Sequence, residues 1–439
     1  MKRIIPVIVF CVTTIGYILA QNTFDKRVGN ALNNSEWFEL RDAYNAGKDS
    51  LSPMLKTFAE SMLAYNFNRN YEACRAIDHL VREHQAEIGA GNVMSMLFMK
   101  STVLKRMGKY TEAAAVLNAV YEAFEPYVDS VSLSMYQAFG KQYETLAKYD
   151  GVNEVTVSDD EGVVPFRLDS IGRIGKRGVA MMIPSKVNGM EQDIVFDSGA
   201  GVNVVSVYAA KRLGLDTYSI DTQMRGFGMQ QGAFAVAKEL VMGNVTMKNV
   251  PFYVMDISSG VDSIDVYMQH LDMILGVEFI NSVKEFHIDF ERSAIVVPKE
   301  TITLETGTLS NMCYNGANGL LVNAKIEGEH HLIHLDTGAS TEVLTDKFYA
   351  LHSDSIASNC ASTTMRMAGA GGISIEDGYD LKNVTISIGD VPYTFPSLFV
   401  SIAGIERDLG YANLGMDYFL QFSKVIYNTE DMFVKLVPK

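Results

Sequence analysis

Two segments of the chain carry a carboxylate, a hydroxyl and a glycine in succession at the end of an apolar run. They are Ile194-Val195-Phe196-Asp197-Ser198-Gly199-Ala200 and Ile333-His334-Leu335-Asp336-Thr337-Gly338-Ala339. Asp197 and Asp336 lie 139 residues apart, and the same offset relates Asn244-Val245-Thr246 to Asn383-Val384-Thr385 and Leu275-Gly276 to Leu414-Gly415. Val250-Pro251 meets Val391-Pro392 at 141, so small insertions compensate between the matches. Matches held in one register identify two copies of one β-rich lobe. The chemistry such a duplication offers is that of facing carboxylates. Like charges at ~3 Å cannot both ionise cheaply, so the pair holds one proton over a range of pH. The ionised member can take a proton from a water that attacks a carbonyl, while the protonated member donates to the carbonyl oxygen.

Each carboxylate needs a strand to carry it and a tight turn to aim it. The glycine permits close backbone approach, and the short hydroxyl side chain can bond neighbouring backbone. A second strand follows each turn, expected over Val202 to Ser206 and Glu342 to Thr345. Past Asp150 the chain turns to short alternating runs of Val, Ile, Thr and Phe, such as Phe286-His287-Ile288 and Ile386-Ser387-Ile388, which predict strands. Residues 22–150 instead hold few glycines and show helical spacing, as in Val116, Val120 and Phe124. Within them Asn70-Tyr71 with Cys74 aligns with Lys109-Tyr110 with Ala113 at an offset of 39, and Gly108 to Ala113 resembles a tetratricopeptide helix start. An ordinary helical bundle remains the alternative. The organisation expected is therefore multidomain α and β. A helical hairpin-repeat domain over 22–150 precedes two β lobes over 160–300 and 301–439, and the chain is 439 residues long with 48% hydrophobic content.

The tandem triplets resemble those of the aspartic proteases, the group that includes pepsins and retropepsins. Ile274-Leu275-Gly276 and Leu414-Gly415 resemble the apolar strand that supports each triplet, and the likeness spans about 165 to 439. The resemblance implies a bilobal all-β unit, with Asp197 and Asp336 as the catalytic dyad of a peptide-bond hydrolase and no cofactor. It implies that Ser198 and Thr337 lock the turns to each other, and that Gly199 and Gly338 lie against the carboxylates. Gly226, Phe227, Gly228 and Gly232 fall where the family carries a flap hairpin, and Gly369, Gly371 and Gly372 fall in the matching stretch of the second copy. Ala200 and Ala339 follow the triplets, as in retropepsins, where pepsins commonly carry a hydroxyl; a less stabilised charged form implies a less acidic optimum. Asn413 replaces an apolar residue of the second support motif. The rival reading is a peptide-binding protein on the same fold.

The net charge of -15, all of it carried after residue 150, excludes the basic footprint of a nucleic-acid binder. A peptide or protein substrate is expected, with a protein partner on the helical domain as a further possibility. Cys11, Cys74, Cys313 and Cys360 lack zinc or redox spacing, and a Cys313–Cys360 pairing is left open. In a strand His330, His334 and Asp336 would share one face, but over too long a span for one coordination sphere, so no metal is expected. Lys2 and Arg3 before an apolar run from Ile4 to Leu19 read as an export signal over residues 1–20. The run is shorter than the ~20 residues of a spanning helix. The mature protein is expected to be exported, periplasmic or secreted, with no stable membrane span.

Overall fold

The computed structural model describes residues 23–171, 178–225, 229–256, 272–302, 304, 310–316, 319–369, 372–403 and 409–439. The leader expected over residues 1–20 lies outside them. The chain forms two compact units: Met1–Asp150 with Cys313–Ala317, and Gly151–Met312 with Asn318–Lys439. Among the described residues no helix is long and apolar enough to cross a membrane.

Among its described residues the first unit holds the helices α1 Thr23–Asn33, α2 Trp37–Gly47, α3 Pro53–Asn66, α4 Asn70–Arg106, α5 Tyr110–Phe124 and α6 Ser130–Leu146. Gly89, at φ 77 and ψ 162, interrupts α4 and divides it into two helices. The turn before α4 and the turn before α5 are built alike, but at a spacing of 40 rather than 39. Arg69 N–H bonds Ala64 C=O as Lys109 N–H bonds Leu104 C=O, and Asn68 and Gly108 both take positive φ. Ala73, Ile77 and Leu80 therefore match Ala113, Leu117 and Val120, all buried. Tyr71 is exposed where Tyr110 is buried, because position 71 lies one residue off the packed face. The same geometry corrects the face expected for α5: Val120 is buried, but Val116 and Phe124 sit at its margin, and the packed stripe is Tyr110, Ala113, Ala114, Leu117 and Val120.

The second unit is built from strands. In the first copy the order is Glu154–Val157, Val245–Met255, Val204–Ser206, Met273–Leu275, Met190–Phe196, Gly178–Val187, Met229–Met242 and Asp216–Arg225. This sheet already includes residues before 160. In the second copy Leu320–Ile326, Glu329–Leu335, Ala412–Leu414, Val343–Leu344, Val391–Ser401, Gly372–Ile388 and Ala361–Gly369 follow one another. The strands after the two turns, Val204–Ser206 and Val343–Leu344, are shorter than expected. A third sheet of five strands joins elements of both copies, Glu285–Asp289 lying beside Phe422–Asn428 with Phe286 opposite Tyr427. Among the described residues Cys74, Cys313 and Cys360 form no disulfide, so the Cys313–Cys360 pairing left open by the sequence is not made.

Candidate active site

Each aspartate is aimed by the same local device. The strand Met190–Phe196 runs parallel to Met273–Leu275 with Val195 opposite Ile274 and Phe196 opposite Leu275. Asp197 N–H then donates to Leu275 C=O at 3.0 Å, extending the ladder one residue before the chain turns. In the second copy Glu329–Leu335 runs parallel to Ala412–Leu414, with His334 opposite Asn413, and Asp336 N–H donates to Leu414 C=O at 2.9 Å. The glycines after the support strands are obligatory for space. A side chain on Gly276 would run into the Ala200 carbonyl, and one on Gly415 into the Ala339 carbonyl.

The two turns bond each other reciprocally. Thr337 Oγ1 accepts from Ser198 N–H at 2.9 Å and donates to Phe196 C=O at 2.9 Å. Ser198 Oγ accepts from Thr337 N–H at 3.0 Å and donates to Leu335 C=O at 2.9 Å. Both hydroxyls are buried. Buried hydrogen bonds with no competing water are costly to break, because the partners are then orphaned. A methyl group on Gly199 would overlap the carboxyl of Asp336, and one on Gly338 would overlap the carboxyl of Asp197. Each carboxyl group thus lies against the glycine of the opposite turn. Within its own turn, Asp197 Oδ1 accepts from Gly199 N–H at 2.9 Å. Asp336 Oδ1 accepts from Gly338 N–H at 2.9 Å and Ala339 N–H at 3.1 Å.

The two halves differ one layer behind the carboxylates. Asn413 Nδ2 donates to Asp336 Oδ2 at 3.3 Å, and its Oδ1 receives a hydrogen bond from His334 Nδ1 at 2.7 Å. At the equivalent places of the first copy stand Ile274 and Val195, which can make no such chain. The apolar-to-polar change at Asn413 is thus matched by a second polar residue directly across the ladder. His330 bonds Asn323 instead, at 3.2 Å, so His330, His334 and Asp336 do not converge on one centre.

Further residues complete the site that motif reading alone passes over. Asn203, fully buried, accepts from Gly276 N–H at 2.9 Å and donates to Pro251 C=O at 3.1 Å. Glu342, its counterpart, accepts from Tyr418 N–H at 2.8 Å. A polar residue inside an apolar strand was the signal for Asn203. Beneath the turns Phe196 packs edge-on against Phe279 and Phe286, and Phe286 stacks on Tyr427 with centroids 4.8 Å apart. Burial pushes the Tyr427 phenol well above its ordinary range, so it stays protonated.

A hairpin stands at the matching place of each copy. Arg225 pairs with Met229 at the end of the first and Gly369 with Gly372 at the end of the second. Gly226, Phe227, Gly228 and Gly371 lie outside the described residues.

An aspartyl protease family model matches residues 183–279. No curated protein matches the chain. Among solved structures, a retropepsin-like aspartic protease from Rickettsia conorii is 20% identical, with 34% of this chain and 95% of that one covered and a TM-score of 0.22. Conglutin gamma, a basic 7S globulin from lupine seeds, is 10% identical over 64% of this chain and 95% of that one, with a TM-score of 0.37. Basic 7S globulin from soybean is 9% identical over 63% and 97%, with a TM-score of 0.35. Residues 183–279, which hold Asp197 and its support strand, are similar to aspartyl proteases.

Proposed function

We propose that this chain is an aspartic endopeptidase in which Asp197 and Asp336 share one proton and activate water against a peptide carbonyl. The observation that carries the reading is the reciprocal lock of Ser198 and Thr337, with each carboxyl group against the opposite glycine. Two such groups in one site are suited to hold a single proton between them. Asp336, oriented by the amide of Asn413, takes the proton from the attacking water. Asp197 donates to the carbonyl oxygen as the tetrahedral intermediate forms, and returning protons then release the amine.

In this reading the two copies act as the lobes of a cleft, and an extended peptide lies between them with its backbone paired to a flap hairpin. The hairpins that end near residues 226–228 and 369–371 serve as flaps. The helical unit, tetratricopeptide-like in its paired helices, recruits a protein substrate or partner. Residues 1–20 direct export to the periplasm or beyond the cell.

The test is incubation of purified protein with a diverse peptide library from acidic to neutral pH, beside Asp197→Asn and Asp336→Asn. Cleavage by the native chain is expected to fall by about 10²–10⁴-fold in either variant. Peptide binding with no cleavage by the native protein would replace this reading with that of a peptide-binding module.

A further inference from the structure

We propose that Glu329, His331 and His352 form a binding site for a borderline divalent cation, Zn²⁺ in the first instance, which ties the strand carrying Asp336 to the helix Asp346–Asn359. One ligand atom from each of the three residues lies within 4.8 Å of the other two. Glu329 and His331 alternate along Glu329–Leu335 and so share a face of the strand, the face opposite to His330 and His334. His331 Nε2 stands 3.8 Å from a Glu329 carboxylate oxygen, beyond hydrogen-bond reach. His352 comes from a different element, at the place where the helix Asp346–Asn359 departs from helical geometry, with φ -125 and ψ 18.

The second observation is independent of the clustering. His331 is nine-tenths buried, and among the described residues its Nε2 has no hydrogen-bond partner. An unsatisfied buried nitrogen is costly and calls for a ligand, an ion or a water. Burial, the largest influence, also holds this imidazole below its ordinary pKa, with His352 and His330 adding to the effect and Glu329 opposing it. The walls around this ring are aromatic: the Tyr411 ring lies 4.5 Å away and the Phe348 ring 6.2 Å, and Phe348 in turn packs against His352 at 4.6 Å. Such walls hold ligand rings in orientation and keep competing water out.

The donor set decides which cation. Two imidazoles and one carboxylate suit Zn²⁺ and its neighbours, whereas Ca²⁺ and Mg²⁺ require a shell of oxygens. Ligand bonds of about 2.0–2.2 Å need these side chains to draw in slightly from their present spacing, and the exposed Glu329 is free to supply much of that movement. Three protein ligands leave the fourth tetrahedral position to water. His331 lies five residues before Asp336 on the same run of chain, so a bound ion would brace that strand against the helix behind it.

The experiment is zinc titration of the untagged, metal-free full chain by calorimetry, with thermal unfolding in parallel and Mg²⁺ as the hard-cation control. One Zn²⁺ per chain is expected, with a rise in melting temperature of at least about 2 °C that Mg²⁺ does not reproduce. His352→Gln and Glu329→Gln, neither of them in the core, should weaken zinc binding about tenfold or more while leaving the metal-free melting temperature nearly unchanged. His331→Gln should abolish binding, but it can also perturb folding, so the first two variants decide. Absence of zinc binding, or binding unchanged in His352→Gln, would overturn the site and leave a buried water as the partner of His331. Neither readout depends on peptidase activity.

Discussion

Replacing Thr337 by valine keeps its volume and deletes one oxygen. That change leaves the Ser198 N–H and the Phe196 carbonyl without partners in a buried place. The expected cost is on the order of 2–4 kcal/mol of unfolding free energy by urea denaturation, together with loss of activity out of proportion to the stability change. Asn413 invites a different experiment, because its effect should be seen in turnover. Its amide holds the Asp336 carboxyl in place, so Asn413→Leu should lower kcat by about tenfold or more, with a smaller change in KM. His334→Gln, which can still bond the asparagine oxygen, should do much less than His334→Phe. An unchanged kcat in Asn413→Leu would remove the residue from any role in positioning Asp336. In the sequence Asn413 stood out only as a break in an apolar support motif. Its meaning depends on the residue across the ladder, and that residue is polar too.

At the level of elements, the strand that carries each aspartate and the strand that supports it follow from simple local rules. Apolar runs of short length, a glycine where backbone must approach backbone, and the repeat offset were enough to locate Met190–Phe196, Glu329–Leu335 and their supports. Helix register was less legible. An alignment resting on tyrosines at 71 and 110 slips by one residue, because the packed face is set by small and branched side chains such as Ala73, Ile77 and Leu80. The break in the long helix was also missed, since a single glycine in a helical pattern is usually tolerated. Gly89 takes a conformation that is nearly exclusive to glycine, and no atom crowds the place a methyl would occupy. Gly89→Ala should therefore cost about 1–3 kcal/mol through backbone strain alone, measurable by chemical denaturation. In the five-stranded sheet Asp289 faces Lys424 across the ladder at 3.1 Å. Burial works against its charge but is outweighed by the Arg292 backbone N–H and the lysine, so its carboxyl sits below the ordinary value of 3.8. A depressed carboxyl pKa stabilises above 3.8, and that stability is lost as pH falls below it. Asp289→Asn should cost about 1–3 kcal/mol at pH 7, with the gap to the native chain closing in strong acid.

For the molecule as a whole the pH response should carry the mark of His331. An imidazole held below 6.5 by burial is neutral in the folded chain while the unfolded chain is already taking up a proton. Its contribution is therefore intact above pH 6.5 and is lost as pH falls from there toward the folded value. With EDTA present to remove metal ions, His331→Gln should show a flatter decline in unfolding free energy between pH 7.5 and 5 than the native chain does. An identical slope would show that the histidine titrates alike in both states.

What the sequence determined by itself is the presence of two equivalent carboxylate turns on a duplicated β framework behind a helical region. These follow from periodicity, glycine placement and repeat offset, all of which are written along the chain. Only the tertiary structure decided which groups stand behind the carboxylates and which lie far from them. Asn413 meets His334 because two strands distant in sequence pair in one register, and His331 meets His352 because a helix bends over a strand. Proximity between remote residues is a consequence of packing, and no local pattern encodes it.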